Sequence, residues 1–205
     1  MTAENVLANV LLEIGLDNTS AQLTSNAYEI RQIRAFMNAA GKDVSRRAEW
    51  YRLVKEWTVA GNVSEASLPG DFQMLTEQNA VRLNKTGSHQ VRPAAGPEVW
   101  ELLSARPSTQ PYYHVHAGTI LFAPALDADG AKVRYVSKHW VEDSQEITQN
   151  GDTLLVPERL IEKGTIWRWK RQKGLPYDDV LAEFEADLIG EIKADRGQGS
   201  GGNQG

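Results

Sequence analysis

The sequence contains no cysteine. Disulfides, thiolate metal sites and thiol nucleophiles are therefore excluded, and the fold must hold by packing and hydrogen bonding alone. Long apolar runs are also missing. The most apolar stretch, Val6 to Leu16, is broken by Asn9 and Glu13, well short of the roughly 20 residues that a membrane helix requires. The first residues carry Glu4 and no basic cluster, so no signal peptide and no membrane association are expected. Positive charge is in deficit, with 22 Lys and Arg against 27 Asp and Glu, a net charge of −5. That balance argues against wrapping nucleic acid through a global field, but it leaves a local basic patch open. Nucleotide and nucleophile motifs are absent as well. There is no Gly-x-Ser-x-Gly and no Gly-x-Gly-x-x-Gly before a helix. Gly41-Lys42 is followed by Asp43, where a phosphate loop needs Ser or Thr.

What is present is a chain of 205 residues, enough for one compact domain or slightly more. Val6, Leu7, Val10, Leu11 and Ile14 fall at helical spacing after Thr2, and Gly15 supplies a stop. A longer helix is expected from Asn26 to about Arg52, with a weak point at Gly41. At Val54 the pattern changes. Trp57–Ala60 and Val63–Leu68 around Gly61-Asn62 read as paired strands, and Leu68-Pro69-Gly70-Asp71-Phe72 reads as a turn. Ala80–Leu83 is a short strand and Pro97–Ser104 a short helix. The strongest hairpin is Pro111 to Phe122, broken at Ala117-Gly118. Lys132–Ser137 alternates and reads as a half-exposed strand. Helical stripes return from Pro157 to Lys173 and from Tyr177 to Arg196, and Gly197–Gly205 reads as a flexible tail.

The expected architecture is α+β. N- and C-terminal helices form a bundle, and a β-rich module of short antiparallel strands is inserted between them. The expected boundaries are a helical arm over 1–56, the module over 57–155, a second arm over 156–196 packing on the first, and a disordered tail over 197–205. Neither helical arm buries its stripe alone, so the two must meet. The expected core includes Trp167, Leu160, Phe184 and Leu188.

The residues able to carry chemistry are few. His114 and His116 lie at i, i+2 on one side of a strand. No carboxylate lies near them to complete a metal site, so they read as a solvated strand face, and His89 and His139 stand alone. No metal and no cofactor are expected. Trp167-Arg168-Trp169-Lys170-Arg171-Gln172-Lys173 sets two tryptophans beside four cations. The final helix opposes it with Asp178, Asp179 and Glu183. Charge pairing between Arg168, Lys170, Arg171, Lys173 and those acids is expected, within one chain or between neighbouring copies.

Four stretches together resemble the head-to-tail adaptor (connector) proteins of tailed bacteriophages. They are Ala48–Leu53 running into the strand at Trp57; Leu68–Phe72; the hairpin Tyr113–Pro124; and Asp152–Ile161 followed by Trp167–Lys170 and Lys173–Tyr177. The resemblance covers most of the chain from residue 26 to 195, and the glycine-rich end departs from it. It implies a structural virion protein with no catalytic activity, located in the neck between capsid and tail and assembled in the host cytoplasm. Its copies would close into a ring of about twelve, contact the portal protein and the tail or nozzle proteins, and extend the DNA channel without sequence-specific binding. An acidic chain suits that role, because a basic lumen would grip the passing DNA. The resemblance further implies docking of the C-terminal end on the portal, through Glu191, Ile192, Lys193, Asp195 and Arg196.

Two other readings remain at this point. A small soluble α+β enzyme would show a cleft with clustered titratable groups. A nucleic-acid module built on Trp167–Lys173 would bind DNA with strong salt dependence.

Overall fold

The computed structural model describes residues 2–16, 21–85, 87, 89–106 and 108–200, the last three by backbone only. In chain order the elements are α1 (Ala3–Glu13), α2 (Tyr28–Arg47), a 3₁₀ turn (Tyr51–Leu53), β1 (Val54–Val59), β2 (Glu65–Ser67), β3 (Phe72–Leu75), β4 (Val81–Leu83), β5 (Arg92–Pro93), α3 (Pro97–Ala105), β6 (Tyr112–His116), β7 (Thr119–Ala123), β8 (Ala131–Ser137), α4 (Glu158–Gln172) and α5 (Asp178–Ser200). The fold is α+β, with a strand block inserted between helices. The chain divides into two compact units, residues 1–53 with 138–205, and residues 54–137.

In the helical unit, α4 packs against α1, α2 and α5. One face of each helix supplies the core: Val6, Leu7, Val10 and Leu11 from α1, Ile33, Met37 and Ala40 from α2, Leu160 and Ile161 from α4, Phe184 and Leu188 from α5. Two glycines set the spacing. A Cβ on Gly164 would lie 2.8 Å from the Ala40 Cβ, and one on Gly41 would lie 2.3 Å from the Trp140 ring. Gly41 is thus no weak point in α2. It is the gap that admits a buried tryptophan.

The expected helix over Asn26–Arg52 is shorter, Tyr28–Arg47. The buried Trp50 side chain turns back, and its indole Nε1 donates to the Val44 carbonyl at 2.7 Å. That carbonyl would accept the Ala48 amide in a continued helix, but Ala48 is extended instead. At the other end, α5 runs on to Ser200, into the segment expected to be tail. Residues 201–205 lie outside the described residues.

Residues 138–155, expected within the inserted module, belong to the helical unit. Side chains pin them there. The Asn38 side chain both donates to the Ile147 carbonyl and accepts from its amide, at 3.2 and 2.7 Å. Asn150 does the same for Ala21 and Leu23. Ala3 and Glu4 donate backbone bonds to Asp152 and Asn150.

The other unit holds two sheets. In the first, β8 is central, with β1 on one edge and β3 and β4 sharing the other. The expected half-exposed alternation holds over Lys132–Tyr135, where Lys132 and Arg134 are half-buried and Val133 and Tyr135 buried, but Val136 and Ser137 are both buried. The second sheet runs β2-β7-β6-β5, with β5 parallel to β6. The hairpin closes as expected at His116 and Thr119 across Ala117 and Gly118. The expected pairing of Trp57–Ala60 with Val63–Leu68 does not form. β1 pairs over six residues with β8, and β2 pairs with β7. The Asn62 amide is held by the Leu126 and Asp127 carbonyls, which carries the chain from one sheet to the other. Ile120, Phe122, Val81, Val91, Val133 and Val59 form the shared core of this unit.

Candidate functional site

The charged residues of the helical unit fall into two groups, those paired inside the chain and those left over. The paired group ties α2, α4 and α5 together. Arg168 Nη2 meets Asp43 Oδ2 at 3.0 Å, and its Nη1 donates to the Gly164 carbonyl at 2.8 Å. Only 15% of the Arg168 side chain is exposed. Burial holds this guanidinium below its ordinary range, with Asp43 opposing. Arg47 bonds Asp43 one turn back at 3.1 Å and reaches Glu185 at 3.3 Å. Lys163 sits between Glu183 and Asp187, 2.8 Å from each, and Arg159 meets Asp187 at 2.7 Å. Hydrogen bonds from Asp187 and Glu183 raise the Lys163 ammonium above its ordinary value, and the Lys163 bond lowers the Asp187 carboxyl.

Of the pairing set expected from sequence, Arg168 and Glu183 are thus both engaged, but with Asp43 and Lys163 instead of each other. Lys170, Arg171, Lys173, Asp178 and Asp179 form no ion pair among the described residues. Sequence reasoning missed Asp43, Arg47 and Lys163 as partners. The i, i+4 spacing of Asp43 and Arg47 was the available signal.

The aromatics of the same stretch differ from expectation. Trp167 was placed in the core, but it is only half-buried. The fully covered positions on this turn are Gly164, Thr165 and Ile166. The ring of Trp167 lies under the Arg168 guanidinium at 4.2 Å, with Arg171 at 5.8 Å. Its indole Nε1 is buried without a hydrogen-bond partner. Leu160, Phe184 and Leu188 are buried.

At the far end of α5, Glu191 and Ile192 are half-buried, and Lys193 and Arg196 are exposed. Asp195 has an internal role: its Oδ2 accepts the Tyr51 amide at 2.8 Å, which anchors the 3₁₀ turn to α5.

In the strand unit the charged centre is Asp71, in the Pro69-Gly70-Asp71 turn. It accepts from Lys55 Nζ at 2.7 Å, Ser137 Oγ at 2.8 Å and Tyr135 Oη at 2.9 Å. Burial pushes this carboxyl up. The three donors outweigh that and bring it to about 2. Burial, together with the bond to Asp71, pushes the Tyr135 phenol up to about 12. The network fastens the turn before β3 to β8, so it is a structural clasp. Its sign is testable. A carboxyl with a lowered native pKa contributes stability above its unfolded value of 3.8, and that contribution is lost as pH falls towards 2. About 2 kcal/mol is expected from such a shift. Urea unfolding of the strand unit at pH 5 and pH 2 should therefore show a loss about 2 kcal/mol larger than in Asp71→Asn. Equal losses in the two proteins would contradict the clasp.

His114 and His116 do lie on one side of β6, with ring centroids 6.2 Å apart, and Trp100 stacks on His114 at 5.5 Å. Among the described residues no group of three or more His, Cys, Asp or Glu is arranged to hold a metal ion, and no helix is long and apolar enough to cross a membrane.

A family model described as SU10 adaptor protein matches residues 1–204. No curated protein matches the chain.

Proposed function

Because this chain belongs to the SU10 adaptor protein family, a family of phage head-to-tail adaptors, we propose that it closes into a ring of about twelve copies between portal and tail and extends the DNA channel. The coarser role follows from membership alone: the protein is a structural adaptor of the phage particle, located at the neck. The observation that carries the finer reading is the match along essentially the whole chain, helical unit and strand unit alike. Heterologous contacts between identical copies generate a closed ring when the rotation closes. The ring passes DNA without sequence-specific binding, as suits a chain of net charge −5. Electron micrographs of the protein mixed with the portal of the same phage test this directly. Rings seated on the portal are expected, and single copies scattered around it would refute the reading.

Docking on the portal is assigned to the end of α5: Glu191, Ile192, Lys193, Asp195 and Arg196. Supporting it, Lys193 and Arg196 are exposed there beyond the last fully buried residue of the helix, Leu188. Deleting Gly197–Gly205 should leave attachment largely intact, whereas ending the chain at Gly190 should abolish it. The shorter chain also loses the Asp195 anchor of the 3₁₀ turn. A second variant therefore isolates the surface: Lys193→Glu with Arg196→Glu leaves the packed face untouched. Portal binding measured by co-sedimentation should fall at least about tenfold for this pair. Unchanged binding would move the docking surface elsewhere.

A further inference from the structure

We propose that the C-terminal end of α4 is one half of the contact between neighbouring copies, and that it receives the acidic first turn of α5 from a second copy. The proposal rests on the ring reading above and names the surfaces that meet.

The starting point is a division among the charges of the helical unit. Arg159, Lys163, Arg168, Glu183, Glu185 and Asp187 are all satisfied inside one chain. Among the described residues Lys170, Arg171 and Lys173 have no ion pair, and neither have Asp178 and Asp179, though the two sets stand only a few residues apart. The turn between them separates the sets. Gly174 adopts φ +70°, the Leu175 amide donates to the Lys170 carbonyl, and Gly174 donates to Arg171. α5 then starts with its two aspartates exposed. The helix dipole favours acids at that end, but it leaves both carboxylates without a cationic partner.

Two of these cations, Arg171 and Lys173, are held against aromatic rings, although neither has an ion pair among the described residues. The Lys173 ammonium lies 5.8 Å from the Trp169 ring and 5.9 Å from the Tyr28 ring. Arg171 lies 5.8 Å from the Trp167 ring. Aromatic faces fix the positions of these charges without neutralising them. Part of the ordering cost of binding an anion is therefore already met. Tyr28 is 60% exposed and Leu175 is 45% exposed. Tryptophan, tyrosine and arginine set close together are the residue types enriched in interface hot spots. An acidic partner is what such a surface fits. A second copy supplies one, because the chain is net acidic and its exposed Asp178 and Asp179 lack a partner of their own.

Charge exchange in the full chain tests this. One variant reverses the basic side (Lys170→Glu, Arg171→Glu, Lys173→Glu). A second reverses the acidic side (Asp178→Lys, Asp179→Lys). A third carries all five changes. Rings on the portal are counted in micrographs. Each one-sided variant should lose ring occupancy at least about tenfold, because like charges then face each other. The five-fold variant should regain it, as should a mixture of the two one-sided variants. In the unmodified protein, zero-length carbodiimide coupling of mixed heavy- and light-isotope copies should join Lys170 or Lys173 of one copy to Asp178 or Asp179 of another. If wild-type rings form and the one-sided variants form them equally well, the contact lies elsewhere and the ring reading stands. If only the basic-side variant fails and the five-fold variant does not recover, the patch faces the portal or DNA, and the proposal is overturned. Absence of wild-type rings overturns both.

Discussion

Trp140→Ala is expected to destabilise the helical unit by about 3–5 kcal/mol. The side chain is fully buried, and its indole Nε1 donates to the Gln145 carbonyl at 2.8 Å. Its ring fills the space left by the missing Cβ of Gly41. The substitution would open a cavity against α2 and release the segment after residue 138. The same contact sets the sign of Gly41→Ala. In an open helix this change stabilises by up to about 1 kcal/mol. Here the new Cβ would meet an enclosed ring at 2.3 Å, so a loss of about 1–3 kcal/mol is expected instead. Urea unfolding of the two single variants and the double variant separates the effects. With Trp140 gone the clash disappears, so the double variant should be more stable than the sum of the singles predicts. Strict additivity would show that the two residues do not meet.

Phe184→Ala is expected to cost a similar amount, about 3–5 kcal/mol. Phe184 is fully buried on α5, and one ring carbon lies 3.4 Å from the place a Gly164 Cβ would take. The competing account of what holds α5 is its ion pairs, Arg159–Asp187, Lys163–Glu183, Lys163–Asp187 and Arg47–Glu185. All have at least one well-exposed partner except Lys163–Asp187. Pairs of this kind contribute about 0.2–1 kcal/mol each. Apolar burial therefore outweighs charge at this helix. Thermal or urea unfolding of Phe184→Ala beside Glu183→Ala and Glu185→Ala decides it. If the acid deletions rival the phenylalanine deletion, the helix is held mainly by charge.

The two predictions also mark where sequence reasoning stopped. The stripes of α1, α4 and α5, the hairpin at Ala117-Gly118 and the central strand block were all legible, because each rests on local periodicity or turn chemistry. The length of α2 was not. It depends on a Trp50 side chain folding back onto a carbonyl six residues earlier, and apolar spacing carries no trace of that. The pairing of β1 was misread for a related reason. Neighbouring strands joined by Gly61-Asn62 look like a hairpin, but β8, more than seventy residues away, offers a longer ladder.

The charged stretch after residue 167 shows the same limit at the site. Its composition was plain in the sequence, and so was an acidic helix behind it. Which charges meet was not, since Arg168 reaches Asp43 on α2 and Glu183 reaches back to Lys163 on α4. Trp167 looked like core because it follows Leu160 and Gly164 at helical spacing. It is half-buried because the helix turns Gly164, Thr165 and Ile166 inward. The α+β class, the insertion of strands between helices and the resemblance to phage adaptors were readable from the residues, because all rest on local pattern and motif order. Where the units divide, which glycines are gaps for other side chains, and which charges lack an ion pair among the described residues emerge only from the packed fold. Those depend on residues far apart in the chain coming within a few ångströms, and no local pattern encodes that approach.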